Sequence, residues 1–164
     1  MDIRLTKIEL FKNPMNFSSG HFTIFSQSER ENLHGHNFSV HAIIESQINE
    51  QLGMTFDYHV YKKAIKQLCD SLDEVVLLPT LSPYLIIEQD EQYVWAYFNH
   101  EKLCFLHRDV KLIPVHNITT EELSYWFLNK LLNEYVLPEH AIESIEIKIS
   151  TSPGQSASSF WRKS

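Results

Sequence analysis

Apolar and polar residues alternate along three stretches of the chain, and this pattern predicts β-strands at residues 3–11, 36–45 and 142–150. In the middle stretch, Phe38 and Val40 fall on one face, while the residues beside them are polar. A strand of this kind packs its apolar face against a core and leaves the other face accessible. The three stretches therefore indicate a sheet with one buried side.

Two other stretches have the spacing of helices. Apolar residues recur every four positions over 58–72, and Asp57 occupies the expected N-cap position. A second helix is predicted to start in the segment 117–122 and to run to about residue 135. In that segment Thr119 and Thr120 precede two glutamates, which suits a capped start and the helix dipole.

The segment between the two helices contains three short apolar runs, at 84–88, 92–98 and 102–106, separated by turn residues. This arrangement predicts a β-meander. We find no internal linker, so residues 1–164 are interpreted as a single domain. The predicted fold class is α+β, with an antiparallel sheet and helices on one face.

The charge of the chain excludes some classes of partner. The 14 Lys and Arg residues are outnumbered by 21 Asp and Glu residues, which gives a net charge of −7. A nucleic-acid partner would require clustered positive charge, so none is predicted. No apolar run approaches the length of a signal peptide or a membrane span, and we predict a soluble, cytoplasmic protein without a membrane partner.

Histidines supply the sharpest chemical signal. His34 and His36 flank Gly35, and residues two apart on an extended chain point to the same side. His21 is the natural third ligand, because the intervening loop can return it to the pair. Three imidazoles with an open fourth position form the ligand set of a catalytic zinc site, although other transition metals accept the same ligands. Structural histidines near the start of a strand are the alternative interpretation.

Several short segments, taken in order, resemble the 6-pyruvoyl-tetrahydropterin synthase / 6-carboxytetrahydropterin synthase family. They are 17–21 (FSSGH), 33–38 (LHGHNF), 53–57 (GMTFD), 72–74 (LDE), 117–122 (NITTEE) and 153–157 (PGQSA). The matches extend from about residue 5 to residue 157. The chain is therefore identified as a diverged member of this family.

The resemblance implies a T-fold, which is an antiparallel sheet backed by two helices, with 84–106 as an insertion. It implies subunits that assemble into homotrimers, often paired into homohexamers. It also implies that His21, His34 and His36 hold zinc. The expected substrate is a pterin derived from dihydroneopterin triphosphate, with Thr119 and Thr120 as candidate substrate-binding residues that otherwise only cap a helix.

The chain departs from the family at three positions that carry chemistry. The family has a Cys shortly before its His-Gly-His segment, but the corresponding position here is Arg30 or Ser28. Asp73 is retained, whereas Glu74 replaces the histidine that follows it in the family. The acid that binds the pterin in the family corresponds to Thr151, or to the residue before it.

Two hypotheses follow from these departures. In the first, the chain is a diverged carbon–oxygen lyase in which Glu29 or Glu31 is the base near zinc, and Asp73 and Glu74 are further candidate catalytic residues. In the second, it is a non-catalytic or repurposed homologue that binds a metal or a heterocycle. The alternative interpretation is that both glutamates are solvated loop acids and Asp73 is a surface acid. His116 is a further candidate for the missing histidine.

Overall fold

The computed structural model describes residues 4–135 and 142–164. The strands are β1 (Leu5–Leu10), β2 (Asn16–His21), β3 (His34–Gln47), β4 (Val75–Pro79), β5 (Leu85–Gln89), β6 (Tyr93–Phe98), β7 (Glu101–Leu106), β8 (Val110–Ile113), β9 (Ile142–Ser152) and β10 (Gln155–Arg162). The helices are α1 (His59–Asp70) and α2 (Thr120–Glu134), and a short 3-10 turn covers His107–Asp109.

The main sheet has the strand order β10-β9-β3-β2-β4-β8, and β1 also pairs with β3. The long strand β3 pairs with β1 and β2 along one edge and with β9 along the other, and all three pairings are antiparallel. The α+β T-fold is therefore confirmed. The sheet is nevertheless mixed, because β4 runs parallel to β2 and β8 runs parallel to β4. Crossovers through α1 and through the segment of β5–β7 make these parallel pairings possible.

One face of the main sheet and both helices enclose the larger core. Phe38 on β3 is fully buried and stacks on Phe17 of β2, with ring centroids 4.8 Å apart. Phe127 of α2 stacks on the other side of Phe17, at 5.9 Å. This packing fixes the two strands that carry the histidines. No helix among the described residues is long and apolar enough to cross a membrane.

Both helices form where the sequence predicts them, with one correction at a terminus. Thr119 is the N-cap of α2, and its side chain accepts a hydrogen bond from the N–H of Glu122 at 3.3 Å. The N-cap of α1 is Tyr58, so the assignment of that position to Asp57 is wrong. Asp57 lies one residue before this N-cap, and its side chain accepts a hydrogen bond from the N–H of His59 at 2.9 Å.

The β-meander is present as a separate antiparallel sheet, β5-β6-β7. Its inner face packs into a second, smaller core, which joins the meander to β4 and to the segment after β2. The buried members of this core are Phe22, Ile24, Leu78, Leu85, Val94, Ala96 and Phe98. The meander therefore lies against the segment that connects β2 and β3, the two strands that carry the candidate metal-binding histidines.

Candidate metal centre and active site

Strands β2 and β3 bring the three predicted histidines together. The antiparallel pairing places His21, the last residue of β2, directly opposite His34, the first residue of β3. His36 lies two residues further along β3, on the same side of the strand. One ring nitrogen from each histidine lies within 4.8 Å of those of the other two.

Hydrogen bonds at the far side of two rings fix which nitrogens face one another. Nδ1 of His21 lies 3.0 Å from the carbonyl oxygen of Ile118, and Nδ1 of His34 lies 2.7 Å from that of Asn32. A carbonyl only accepts, so each Nδ1 donates and leaves Nε2 with a free lone pair. Nε2 of His34 and Nε2 of His36 are 3.0 Å apart. Metal-binding histidines typically have this carbonyl-supported arrangement.

The residues present fit a zinc ion. Nε2 of His21 is buried and has no hydrogen-bond partner among the described residues, which is costly unless a ligand occupies that position. Burial, with smaller effects from His34 and His36, lowers the pKa of His21 despite the hydrogen bond to Ile118. A lowered pKa favours the neutral imidazole, which is the form that binds metal. Three nitrogens around one open position match a catalytic zinc site.

A short hairpin between β2 and β3 carries one of the two candidate glutamates into the site. Ile24 and Arg30 form an antiparallel bridge, and the N–H of Glu31 donates to the carbonyl oxygen of Thr23 at 2.8 Å. The N–H of Thr23 in turn donates to Oε2 of Glu31 at 2.9 Å. The predicted loop therefore has defined backbone structure, and Glu31 has a fixed direction.

The structure separates Glu31 from Glu29. Glu31 is half-buried and faces the histidines, whereas Glu29 lies exposed at the tip of the hairpin. Burial alone would raise the pKa of Glu31, but the hydrogen bonds from Thr23, with smaller electrostatic effects from His34 and His21, hold it below its ordinary value. Glu31 is therefore a carboxylate at neutral pH, which is the form that can accept a proton.

The histidines open into a cavity of about 220 Å³, which we call the histidine cavity. Its lining combines the three histidines, two glutamates and four threonines. The lining residues are His21, Thr23, Glu31, His34, His36, Phe38, Ile118, Thr119, Thr120, Glu121 and Thr151. The sequence-predicted Thr119 and Thr120 thus lie at the cavity, and Thr119 also caps α2.

A larger groove of about 640 Å³ adjoins the histidine cavity, and we call it the adjoining groove. The two share His36 and Thr151. Two carboxylates, Glu74 and Asp109, line the groove together with hydroxyl and amide side chains. Asp109 was not identified from the sequence, because a lone acid in a short turn gives no signal of its own.

Asp73 and Glu74 lie in a turn after α1. Oδ1 of Asp73 accepts a hydrogen bond from the N–H of Ser18 at 2.7 Å, which ties this turn to β2. Glu74 has a positive φ of 58° and donates its N–H to the carbonyl oxygen of Ser18 at 2.8 Å. The structure therefore places Glu74 at the adjoining groove and gives Asp73 a bracing contact.

Other candidates lie away from the histidines. His116 is exposed, with Nδ1 3.7 Å from a carboxylate oxygen of Glu122, and it borders a different pocket. Cys69 is buried in α1, and Cys104 is exposed on β7. Neither cysteine is among the lining residues of the histidine cavity.

The fold and the histidine cluster together define a T-fold protein whose site is suited to a catalytic metal. The chain belongs to the 6-pyruvoyl tetrahydropterin synthase family, whose model matches residues 9–160. The family identified from the sequence segments is thereby confirmed.

Relatives and solved structures agree with this assignment. A protein of Methanocaldococcus jannaschii named "Putative 6-carboxy-5,6,7,8-tetrahydropterin synthase" is 26% identical over 144 residues, which are 87% of this chain and 88% of that protein. A protein of Pyrococcus abyssi with the same name is 30% identical over 71% of this chain and 69% of its own length. The crystal structure of 6-pyruvoyl tetrahydropterin synthase from Plasmodium vivax superposes with a TM-score of 0.90 at 27% identity, covering 98% of this chain and 99% of that one.

Two further structures of the Plasmodium vivax enzyme are variants of a glutamate that is described as a catalytic residue. Cysteine replaces it in one variant and alanine replaces it in the other. Both superpose on this chain with a TM-score of 0.90 at 26% identity. A glutamate is thus described as catalytic in a protein of the same fold.

Proposed function

We propose that this chain is a zinc-dependent carbon–oxygen lyase of the 6-pyruvoyl/6-carboxytetrahydropterin synthase type, acting on dihydroneopterin triphosphate or a related pterin. The observation that carries the proposal is the presence of the Glu31 carboxylate and three convergent imidazoles in one cavity. A metal-type ligand set beside a positioned base is the arrangement that proton abstraction next to an oxygen-bearing carbon requires.

The roles of the side chains follow from their positions. His21, His34 and His36 would hold zinc, which supplies a positive charge that binds the oxygens of the substrate side chain and acidifies the neighbouring C–H. Glu31 accepts the proton from that carbon, because its carboxylate is ionised and is held at the cavity by Thr23. Proton abstraction is followed by cleavage of the carbon–oxygen bond to the triphosphate, which leaves with the bonding electron pair. The described catalytic glutamate of the Plasmodium vivax enzyme supports a glutamate in this role.

The adjoining groove is the proposed place for the ring of the substrate. It has about 640 Å³ of space and shares the lining residues His36 and Thr151 with the histidine cavity. Glu74 and Asp109 offer acceptors to the N–H groups of an aminopyrimidine edge. Thr119 and Thr120, at the histidine cavity, would contact the side chain of the pterin.

We further propose that the chain works as a homotrimer or a homohexamer. The main sheet ends at β10 and β8 among the described residues, so backbone groups along these edges lack a neighbouring strand. Phe160 on β10 is 78% exposed, which is unusual for so large an apolar side chain. Pairing with another copy would satisfy the edge and cover the ring. Light scattering coupled to gel filtration measures the assembly, and a monomer at micromolar concentration contradicts this proposal.

Incubation of the zinc-loaded protein with dihydroneopterin triphosphate tests the proposed activity, with chromatography to detect a new pterin and the release of triphosphate. Glu31→Gln is the matched inactive control, since glutamine keeps the shape and an acceptor oxygen but cannot take the proton. Product with the wild type and not with this variant supports the proposal. No product from an occupied zinc site contradicts it.

A second candidate is a homologue that binds a metal and a heterocycle without turnover. Thr151 favours this candidate, because it lines both the cavity and the groove where a carboxylate would pair better with an aminopyrimidine. Calorimetry with pterins distinguishes the two hypotheses, since binding that is never followed by product formation supports the second.

A further inference from the structure

Besides the apolar packing of the smaller core, a largely buried arginine attaches the hairpin that carries Glu31 to the meander. Nε of Arg30 donates to Oε2 of Glu101 on β7 at 2.9 Å, and its Nη2 donates to the same oxygen. The side chain of Arg30 is only 13% exposed, whereas that of Glu101 is 58% exposed. An ion pair with one buried partner holds its geometry better than a pair between two mobile surface chains.

The same guanidinium reaches back to the residue that carries the proposed base. Nη1 of Arg30 donates to the backbone carbonyl oxygen of Glu31 at 2.8 Å. The guanidinium carbon Cζ of Arg30 lies 4.9 Å from the ring centroid of Phe22 and 5.7 Å from that of Phe98. Aromatic rings from the segment after β2 and from β6 therefore flank the guanidinium. Cation–π contacts and the planar donor fork together leave Arg30 little freedom.

The opposite side of the hairpin is fixed independently. The side chain of Asn117 accepts from the N–H of Ile24 at 3.1 Å and donates to the carbonyl oxygen of Ile24 at 2.8 Å. Asn117 therefore anchors the first strand of the hairpin beside the start of α2. The contacts of Arg30 with Glu101 tie the second strand, which carries Glu31, to the meander.

We propose that Arg30 and Glu101 are positioning residues, and that their ion pair uses the meander to hold the Glu31 carboxylate at the histidine cavity. This inference rests on the proposed function for its catalytic consequence. The structural half, that the pair restrains the hairpin, stands on the contacts alone. The meander thereby gains a role in the reaction without contributing a lining residue to the histidine cavity.

Hydrogen exchange on the zinc-loaded full chain tests the structural half. The variants are Arg30→Lys, which keeps the charge but loses the fork, and Glu101→Gln, which keeps the shape but loses the charge. Glu88→Gln is the control, since Glu88 is an exposed glutamate on β5 of the same small sheet. We expect the amides of Thr23 and Glu31 to exchange roughly three- to tenfold faster in both test variants and at the wild-type rate in the control.

Kinetics test the catalytic half. We expect kcat to fall in both test variants while KM and the zinc content keep their wild-type values, because a displaced base affects proton transfer rather than binding. Arg30→Lys can also lower stability, but Glu101 is on the surface, so Glu101→Gln separates positioning from folding.

Unchanged exchange in both variants overturns the inference, as does faster exchange with unchanged kcat. A wild type that is inactive on pterins contradicts the proposed function, and the exchange rates then decide the inference by themselves.

Discussion

The N–H of Thr23 donates to Oε2 of Glu31 at 2.9 Å, and the N–H of Glu31 donates back to the carbonyl oxygen of Thr23 at 2.8 Å. This reciprocal pair closes the hairpin and directs one carboxylate toward the histidines. Glu29, two residues earlier, is exposed, and its backbone carbonyl oxygen accepts from the N–H groups of Phe25 and Ser26. The chemical difference between two similar glutamates therefore comes from the backbone that presents them.

We predict that Glu31→Gln lowers kcat on the pterin substrate by about 10²- to 10⁴-fold, the usual contribution of a general base. Glu29→Gln should keep wild-type kinetics, since its side chain lies outside the histidine cavity. Both variants should bind zinc as the wild type does. Steady-state kinetics measured beside zinc content check this, and equal losses in the two variants would refute the assignment of the base.

Glu74 gives a second prediction, because it holds a left-handed backbone conformation with φ at 58°. A residue with a Cβ pays about 1 kcal/mol there and glycine does not, so Glu74→Gly should raise the free energy of unfolding by up to about 1 kcal/mol. If its carboxylate contacts the substrate ring in the adjoining groove, KM should rise roughly three- to tenfold at the same time. Urea unfolding and kinetics measure the two effects.

Asn99 supplies the matched control for that prediction. It has φ at 53° in the turn between β6 and β7, away from the groove. Asn99→Gly should leave KM unchanged and stabilise less, since asparagine tolerates this conformation better than glutamate. A KM that stays constant in Glu74→Gly would remove Glu74 from the proposed binding site.

The strands with clear alternation could be predicted from the sequence, and those without it could not. β3 and β9 alternate because each has one buried face, and both were found. β4 is short and has three consecutive buried residues at its end, so it lacks a period of two. β10 reads as a polar, serine-rich tail, because it lies at the edge of the sheet and exposes every second residue.

The clustering of the histidines could be predicted for a similar local reason, whereas the position of the proposed base could not. His34 and His36 are two residues apart on one strand, which already fixes their common direction. The choice between Glu29 and Glu31 depends on the bridge between Ile24 and Arg30, which no local pattern indicates. The role of Arg30 depends on a contact 71 residues away in sequence, so it also required the tertiary structure.

The two cysteines provide a pH-dependent prediction. Burial raises the pKa of Cys69 from 9.0 to about 12, so its thiol stays protonated at about pH 8 while the exposed Cys104 reacts. Native protein should therefore show one reactive thiol with a disulfide reagent, and denatured protein should show two. Cys104→Ser should remove the native signal. If both thiols of the native protein reacted rapidly, the burial of Cys69 in α1 would be contradicted.

The raised pKa of Cys69 also determines how the free energy of unfolding changes at alkaline pH. A thiol whose pKa is higher in the folded state favours folding fully below the unfolded value of 9.0. That contribution decreases as the pH rises through the window from 9.0 to about 12. Cys69→Ala should lose this pH dependence, although removal of the buried sulfur lowers stability at every pH, and urea unfolding across the window measures both effects.

The most direct test of the account is the zinc content of the purified protein, measured by elemental analysis for the wild type and for His34→Ala/His36→Ala. His41→Ala is the control, because His41 lies on the same strand but its Nε2 is 3.3 Å from a carboxylate oxygen of Glu9, away from the cluster. We predict about one zinc per chain in the wild type and in the control, and none in the double variant. No metal in the wild type, or full occupancy in the double variant, would contradict a catalytic centre at these histidines.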